Sequence, residues 1–127
     1  MTYRPLALLN GLLFLVYGLG LLAAPAMFAG IDSYQLDRSG QAFVRIWGGV
    51  TVGLALMCFL ARGFEWSEAR RAVTFSLFTA NSVLFAVYLY NQLFTGIPNM
   101  AGWGHVTIHL LLAINSLGVF YLLWRQY

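Results

Sequence analysis

Four long apolar runs, separated by short polar breaks, account for most of this chain. The first, Leu6 to Ala24, follows Pro5 and stops at Pro25. Proline suits the first turn of a helix, where its missing N–H would have no partner, and it breaks a helix further along. The second run covers Ala42 to Ala61, with Ser39 placed to cap its start and Arg62-Gly63 to stop it. The third extends from Ala72 to about Leu93 and closes on the breaker cluster Thr95-Gly96-Ile97-Pro98-Asn99. The fourth runs from Trp103 to Trp124. Each is long enough, at about 1.5 Å per residue, to cross a hydrocarbon core about 30 Å thick. None alternates with period two, and an open sheet cannot satisfy its edges in lipid. The pattern predicts an all-α protein, a bundle of four transmembrane helices forming one domain over residues 1–127.

Composition strengthens that reading. Of 127 residues, 61% are hydrophobic and 9% charged, against about 25% charged in an ordinary soluble domain. So few charges cannot cover a water-facing surface, and four spans leave no room for a soluble catalytic domain. Ala24-Pro25-Ala26 faintly mimics a cleavage site, but 19 apolar residues exceed a secretory signal core; a retained span is expected.

The net charge of +3 does not indicate nucleic acid, because the seven basic residues are all Arg and form no stripe. Their distribution predicts topology instead. Arg4, Arg62, Arg70, Arg71 and Arg125 fall on one side, Arg38 and Arg45 on the other, so both termini are expected in the cytoplasm. Trp66 and Trp124 then mark the inner interface, Trp47 and Trp103 the outer one. The longer outer loop, Ala26 to Gln41, carries Met27, Phe28, Ile31 and Tyr34 at near-helical spacing and is expected to lie on the membrane surface. Cys58, alone in an apolar run, excludes an internal disulfide and reads as a small buried hydrophobe.

Helices in lipid join by close packing and interhelical hydrogen bonds. Gly49 and Gly53 form a GxxxG, and Gly11 and Gly18 share a face of the first span. A seam between spans one and two is expected there, with docking of another subunit at Gly49 and Gly53 as the sharper reading. A polar layer is expected near mid-depth, where Thr51, Asn81 and Asn115 sit close to their span centres. An unpaired amide in hydrocarbon is costly, so both asparagines should face inward. They serve either as glue or as the lining of a small polar cavity.

Ionisable groups within spans are the first functional suspects. Arg45 lies about one turn inside span two, and His105 and His109 share a face of span four at i,i+4 spacing. Asp32 and Asp37 lie in the adjoining loop, and Asn91 ends span three. The plain readings are an Arg45 that snorkels to headgroups, with Asp37 as a candidate partner, and histidines that are wetted or bonded to a neighbour. The sharper reading is a ligand contact built from Arg45, His105, His109, Asp37 and Asn91. Two histidines on one face cannot take both axial positions of one haem, and the chain has no third. A metal on the pair would need Asp32 or Asp37 as third ligand. No catalytic nucleophile pattern is present, and Glu65 and Glu68 beside Arg62, Arg70 and Arg71 read as a solvated ionic cluster or a lipid-headgroup contact.

Tyr17-Gly18 with Leu22 and Pro25, Arg45 before Gly48-Gly49 and Gly53, the pair Arg70-Arg71, and Gly102-Trp103 opening a span with His109 are spread over most of the chain. In these the sequence resembles uncharacterised small four-helix integral membrane proteins of bacteria. The resemblance implies a multi-pass protein of the bacterial inner membrane and carries no activity. The leading expectation is a non-catalytic accessory subunit or scaffold, packed against lipids and against other membrane subunits or itself, with no cofactor. The alternative is a small ligand-handling protein for a quinone, a lipid or haem, using the outer Arg/His cluster.

Overall fold

The computed structural model describes residues 3–65, 67–95 and 99–125. They form five helices: α1 Tyr3–Ala23, α2 Pro25–Ile31, α3 Arg38–Ala61, α4 Glu68–Phe94 and α5 Met100–Trp124. No strand occurs among the described residues. All but α2 are long and apolar enough to cross a membrane, as the hydrophobic runs predict. Trp66 of the expected inner belt, and Gly96, Ile97 and Pro98 of the breaker cluster, lie outside the described residues.

The helix ends follow local chemistry. Pro5 falls in the first turn of α1, and Pro25 opens α2. α3 starts earlier than its apolar run because Asp37, not Ser39, caps it, the carboxylate accepting from Gly40 N at 2.6 Å. A short acidic side chain in extended backbone answers the unpaired first-turn N–H groups. Ser67 caps α4 and Asn99 caps α5 in the same way, through Arg70 N and Gly102 N. α2 is a seven-residue helix with Met27 and Ile31 exposed. Just beyond its end Ser33, with a φ of 65°, turns the chain back while Ser33 N and Tyr34 N reach Gly30 O and Ala29 O.

α1 lies along α3, and α4 along α5. The backbones of the first pair come close at Gly18 and Gly48. A Cβ on Gly18 would stand 2.9 Å from Gly48 O, and one on Gly48 would stand 2.9 Å from Gly18 O. Gly11 faces Cys58 and Phe59. Gly49 and Gly53, by contrast, have nothing within 4 Å of an added Cβ. The intrachain seam therefore runs through Gly11, Gly18 and Gly48, and the expectation that Gly49 and Gly53 belong to it is corrected. One position of helical phase separates Gly48 from Gly49, and that turns Gly49 out of the contact.

The two pairs meet firmly at the end that gathers the start of α1 and the end of α5. Tyr3, Leu6, Ala7, Leu112, Val119 and Leu123 form one buried cluster. Phe14, Ala55, Cys58 and Leu77 form another, with Cys58 the buried small hydrophobe its setting suggested. The Tyr3 hydroxyl donates to Ala61 O at 3.0 Å, a carbonyl at the end of α3 that also accepts from Phe64 N. Arg70 lies over the Tyr3 ring at 4.2 Å and Arg71 over Trp124 at 4.7 Å. Arg71 also pairs with Glu68 at 2.7 Å. Outside these clusters large apolar side chains face outward on every long helix, which lipid-facing helices do and soluble ones do not.

A cavity and its polar end

Toward α2 the pairs separate and leave a cavity of about 290 Å³. Leu13, Phe14, Tyr17 and Leu21 of α1 line it, with Trp47, Val50, Thr51 and Leu54 of α3, Leu84 and Tyr88 of α4, and His105, Ile108 and His109 of α5. Trp47, Val50, Leu54 and Ile108 are also half exposed on the outer face. They mark a lateral mouth.

Two polar assemblies close the cavity. At the rim, Asp32 follows α2 and is buried. Its Oδ2 accepts from the Tyr17 hydroxyl at 2.5 Å, and its Oδ1 lies 3.3 Å from His105 Nε2. Burial works against the Asp32 charge, but the His105 imidazole and the Tyr17 hydroxyl outweigh it and hold the carboxyl below its ordinary value. Asn99 Nδ2 donates to Asp32 O at 3.1 Å, so the cap of α5 also ties down the α2 corner. The Phe28 ring of α2 packs edge-on to Tyr17, centroids 5.9 Å apart, and lies against Gly20, where any side chain would occupy its place.

Deeper, at the midpoint of α4, Asn81 is fully buried. Its Nδ2 donates to Asn10 Oδ1 and to Leu77 O, both at 2.8 Å, and its Oδ1 lies 2.9 Å from His109 Nδ1. Asn10 Nδ2 in turn donates to Leu6 O at 2.9 Å. This chain links α1, α4 and α5. Tyr88 bridges the two assemblies by stacking on both histidines, with centroids 4.5 Å from His105 and 5.7 Å from His109.

Of the contacts weighed in the sequence, the fold brings His105 and His109 to the cavity and leaves the others apart. Arg45 is exposed on α3 and does not line the cavity. No ion pair joins it to Asp37 among the described residues, and Asp37 is engaged in its cap. Asn91 donates to the Tyr34 hydroxyl at 2.7 Å on the exposed side of α4. The mid-depth layer is also corrected in part. Thr51 and Asn115 bond to Trp47 O and Leu111 O, one turn back in their own helices, so only Asn81 bonds across the bundle. No group of three His, Cys, Asp or Glu able to hold a metal ion occurs among the described residues, so Asp32 and Asp37 do not complete a ligand set with the two histidines.

Asn10, Tyr17 and Tyr88 carry much of the site; sequence reasoning passed over Asn10 and Tyr88 and used Tyr17 only in the family resemblance. Asn10 had a signal, an amide within an apolar run. The polar roles of Tyr17 and Tyr88 had none, in a chain where aromatic residues make up 17%.

Residues 3–121 match a protein family described as a domain of unknown function, DUF8292. The chain belongs to that family. No curated protein and no solved structure matches it. The match covers all five helices except the last three residues of α5, and so includes every residue of the cavity and both polar assemblies.

Proposed function

We propose that the protein holds a small, mostly apolar ligand, taken up sideways from the bilayer, in the cavity between its helix pairs. The observation that carries this reading is the cavity itself, with apolar walls, aromatic side chains and a few fixed polar groups at one end. That is the usual make-up of a small-molecule site, and its size lies near the lower bound of about 300 Å³. A single-ring or short-chain head fits such a volume; a porphyrin does not, which argues against haem. No catalytic step is assigned. The test is native mass spectrometry of protein taken gently from the membrane, beside an Ile108→Trp variant that fills the cavity. The parent should carry a small molecule that the variant lacks. Identical bound species in both would refute the reading.

A second reading, an accessory subunit that packs on other membrane helices or on a copy of itself, is favoured by one feature. Gly49 and Gly53 present an open face on α3 at GxxxG spacing. Gly49→Leu and Gly53→Leu would strip a co-purifying partner in that case and leave the cavity ligand in place.

The Arg distribution supports cytoplasmic termini, and the resemblance to bacterial proteins supports an inner-membrane location. With the termini in the cytoplasm, the cavity mouth opens to the outer half of the bilayer. A reporter after Tyr127 should read cytoplasmic and a cysteine at Asn99 should label from outside; the reverse labelling would invert the assignment.

A further inference from the structure

We infer that the cavity selects a ligand bearing a hydroxyl group, which donates a hydrogen bond to His109 Nε2. This rests on the ligand-binding reading above and names the chemistry of that ligand. The argument begins at two backbone carbonyls. Leu77 O and Leu6 O can only accept, so the Asn81 and Asn10 atoms facing them must be the NH2 groups. The orientation of both amides is thereby fixed without reference to how either was assigned. Asn81 must then turn its oxygen toward His109, and His109 Nδ1, 2.9 Å away, must carry the proton.

A neutral imidazole with a proton on Nδ1 has a lone pair on Nε2. The carboxylate nearest the site, Asp32, pairs with His105, so no counter-charge is provided for a second proton on His109. His109 lines the cavity, and with Nδ1 held by Asn81 the nitrogen left to it is Nε2. Two hydroxyls of the lining are already engaged: that of Thr51 donates to Trp47 O at 2.7 Å and that of Tyr17 to Asp32. What His109 offers the cavity is an acceptor. A quinone carbonyl or an anion would meet a lone pair there, whereas an alcohol or a phenol would meet its complement.

The test uses the purified full chain in nanodiscs, titrated with 4-hexylphenol, its methyl ether and a long-chain alcohol, and followed by tryptophan emission, since Trp47 borders the cavity. The phenol should bind about tenfold more tightly than the ether, the effect of one hydrogen bond. His109→Phe should erase that preference and leave the affinity for the ether within about twofold. As a check that needs no variant, nitrogen-15 spectra of the parent should show a protonated Nδ1 and a bare Nε2 on His109. An alcohol that matches the phenol points to an aliphatic hydroxyl ligand; a weaker alcohol points to a phenolic one. Equal affinity for phenol and ether, or a proton on Nε2, overturns the hydroxyl assignment and leaves the cavity reading standing. Binding of none of the three probes overturns both.

Discussion

The two ends of the bundle are built from different residues and do different things. At the end that holds Tyr3 and Leu123, the helices meet through Ala7, Ala55, Cys58, Ala61 and Thr74, all small and fully buried or nearly so. Small side chains let backbones approach, and packing then holds helices that gain little from the hydrophobic effect in lipid. At the α2 end the residues between the pairs are Tyr17, Tyr88, His105 and His109. These rings are too large for close approach and carry polar atoms that need partners. Tyr17 and His105 find theirs in Asp32 and His109 finds one in Asn81, and the helices stay apart around a cavity. A closed end can thus anchor an open one, since the packing at the first sets where the side chains of the second must stand.

The largest effect expected on this arrangement comes from Gly18→Leu. Its side chain would collide with the backbone of α3 at Gly48 and Val52, which cannot move aside as a flexible side chain could. Overpacking of that kind costs roughly 1–3 kcal/mol, sometimes more, and thermal unfolding in detergent should show it clearly. Gly49→Leu, with nothing near it, should stay within about 0.5 kcal/mol of the parent. Equal losses in the two variants would mean that the α1–α3 seam is not where the Gly18–Gly48 approach puts it.

Next in size is Asn81→Leu. It leaves Asn10 Oδ1 and the His109 Nδ1 proton without their partner in a buried setting. Stranded polar groups cost about 1–3 kcal/mol, although interhelical bonds in membranes average only about 0.6 kcal/mol, because the separated helices find other partners. A loss near the upper figure, together with a change in the His109 ring spectrum, would show that the chain holds the open end together. An unchanged melting temperature would confine its role to orienting His109.

Acid should act on the rim more weakly. Asp32 has a folded-state pKa below its unfolded value. Its stabilising contribution is therefore complete above the ordinary carboxyl range and is lost as pH falls through the folded value. The parent should lose thermal stability on acidification below about pH 4, and Asp32→Asn should lose less over the same interval. Matching acid profiles would remove Asp32 from the interactions that fix the α2 corner.

The sequence makes the closed end easier to anticipate than the open one. Four apolar runs specify four spans because lipid leaves a backbone few alternatives, and α2 showed in the spacing of Met27, Phe28, Ile31 and Tyr34. The cost of a buried amide pointed correctly to Asn81. The same reasoning failed for Asn115 because a side chain can bond the carbonyl one turn back and need no other helix. It passed over Asn10, which is buried because α1 meets α4 there, a fact of tertiary packing. Cavities depend on how far apart helices stand, and no periodicity along one chain records that distance.

Arg45 carries the smallest expected effect, and it tests where the proposed site stops. An intramembrane cation beside two histidines draws attention in the sequence, yet its side chain is exposed and borders neither polar assembly. Long basic side chains near span ends keep their charge at the interface while the stem covers apolar surface. Arg45→Gln should therefore shift stability by no more than about 0.5 kcal/mol and leave the affinity for 4-hexylphenol unchanged, within about twofold. Binding measured beside His109→Phe would separate the two cases. If Arg45→Gln weakens binding as much as His109→Phe does, the ligand reaches out through the mouth to α3, and the site is larger than the cavity that now defines it.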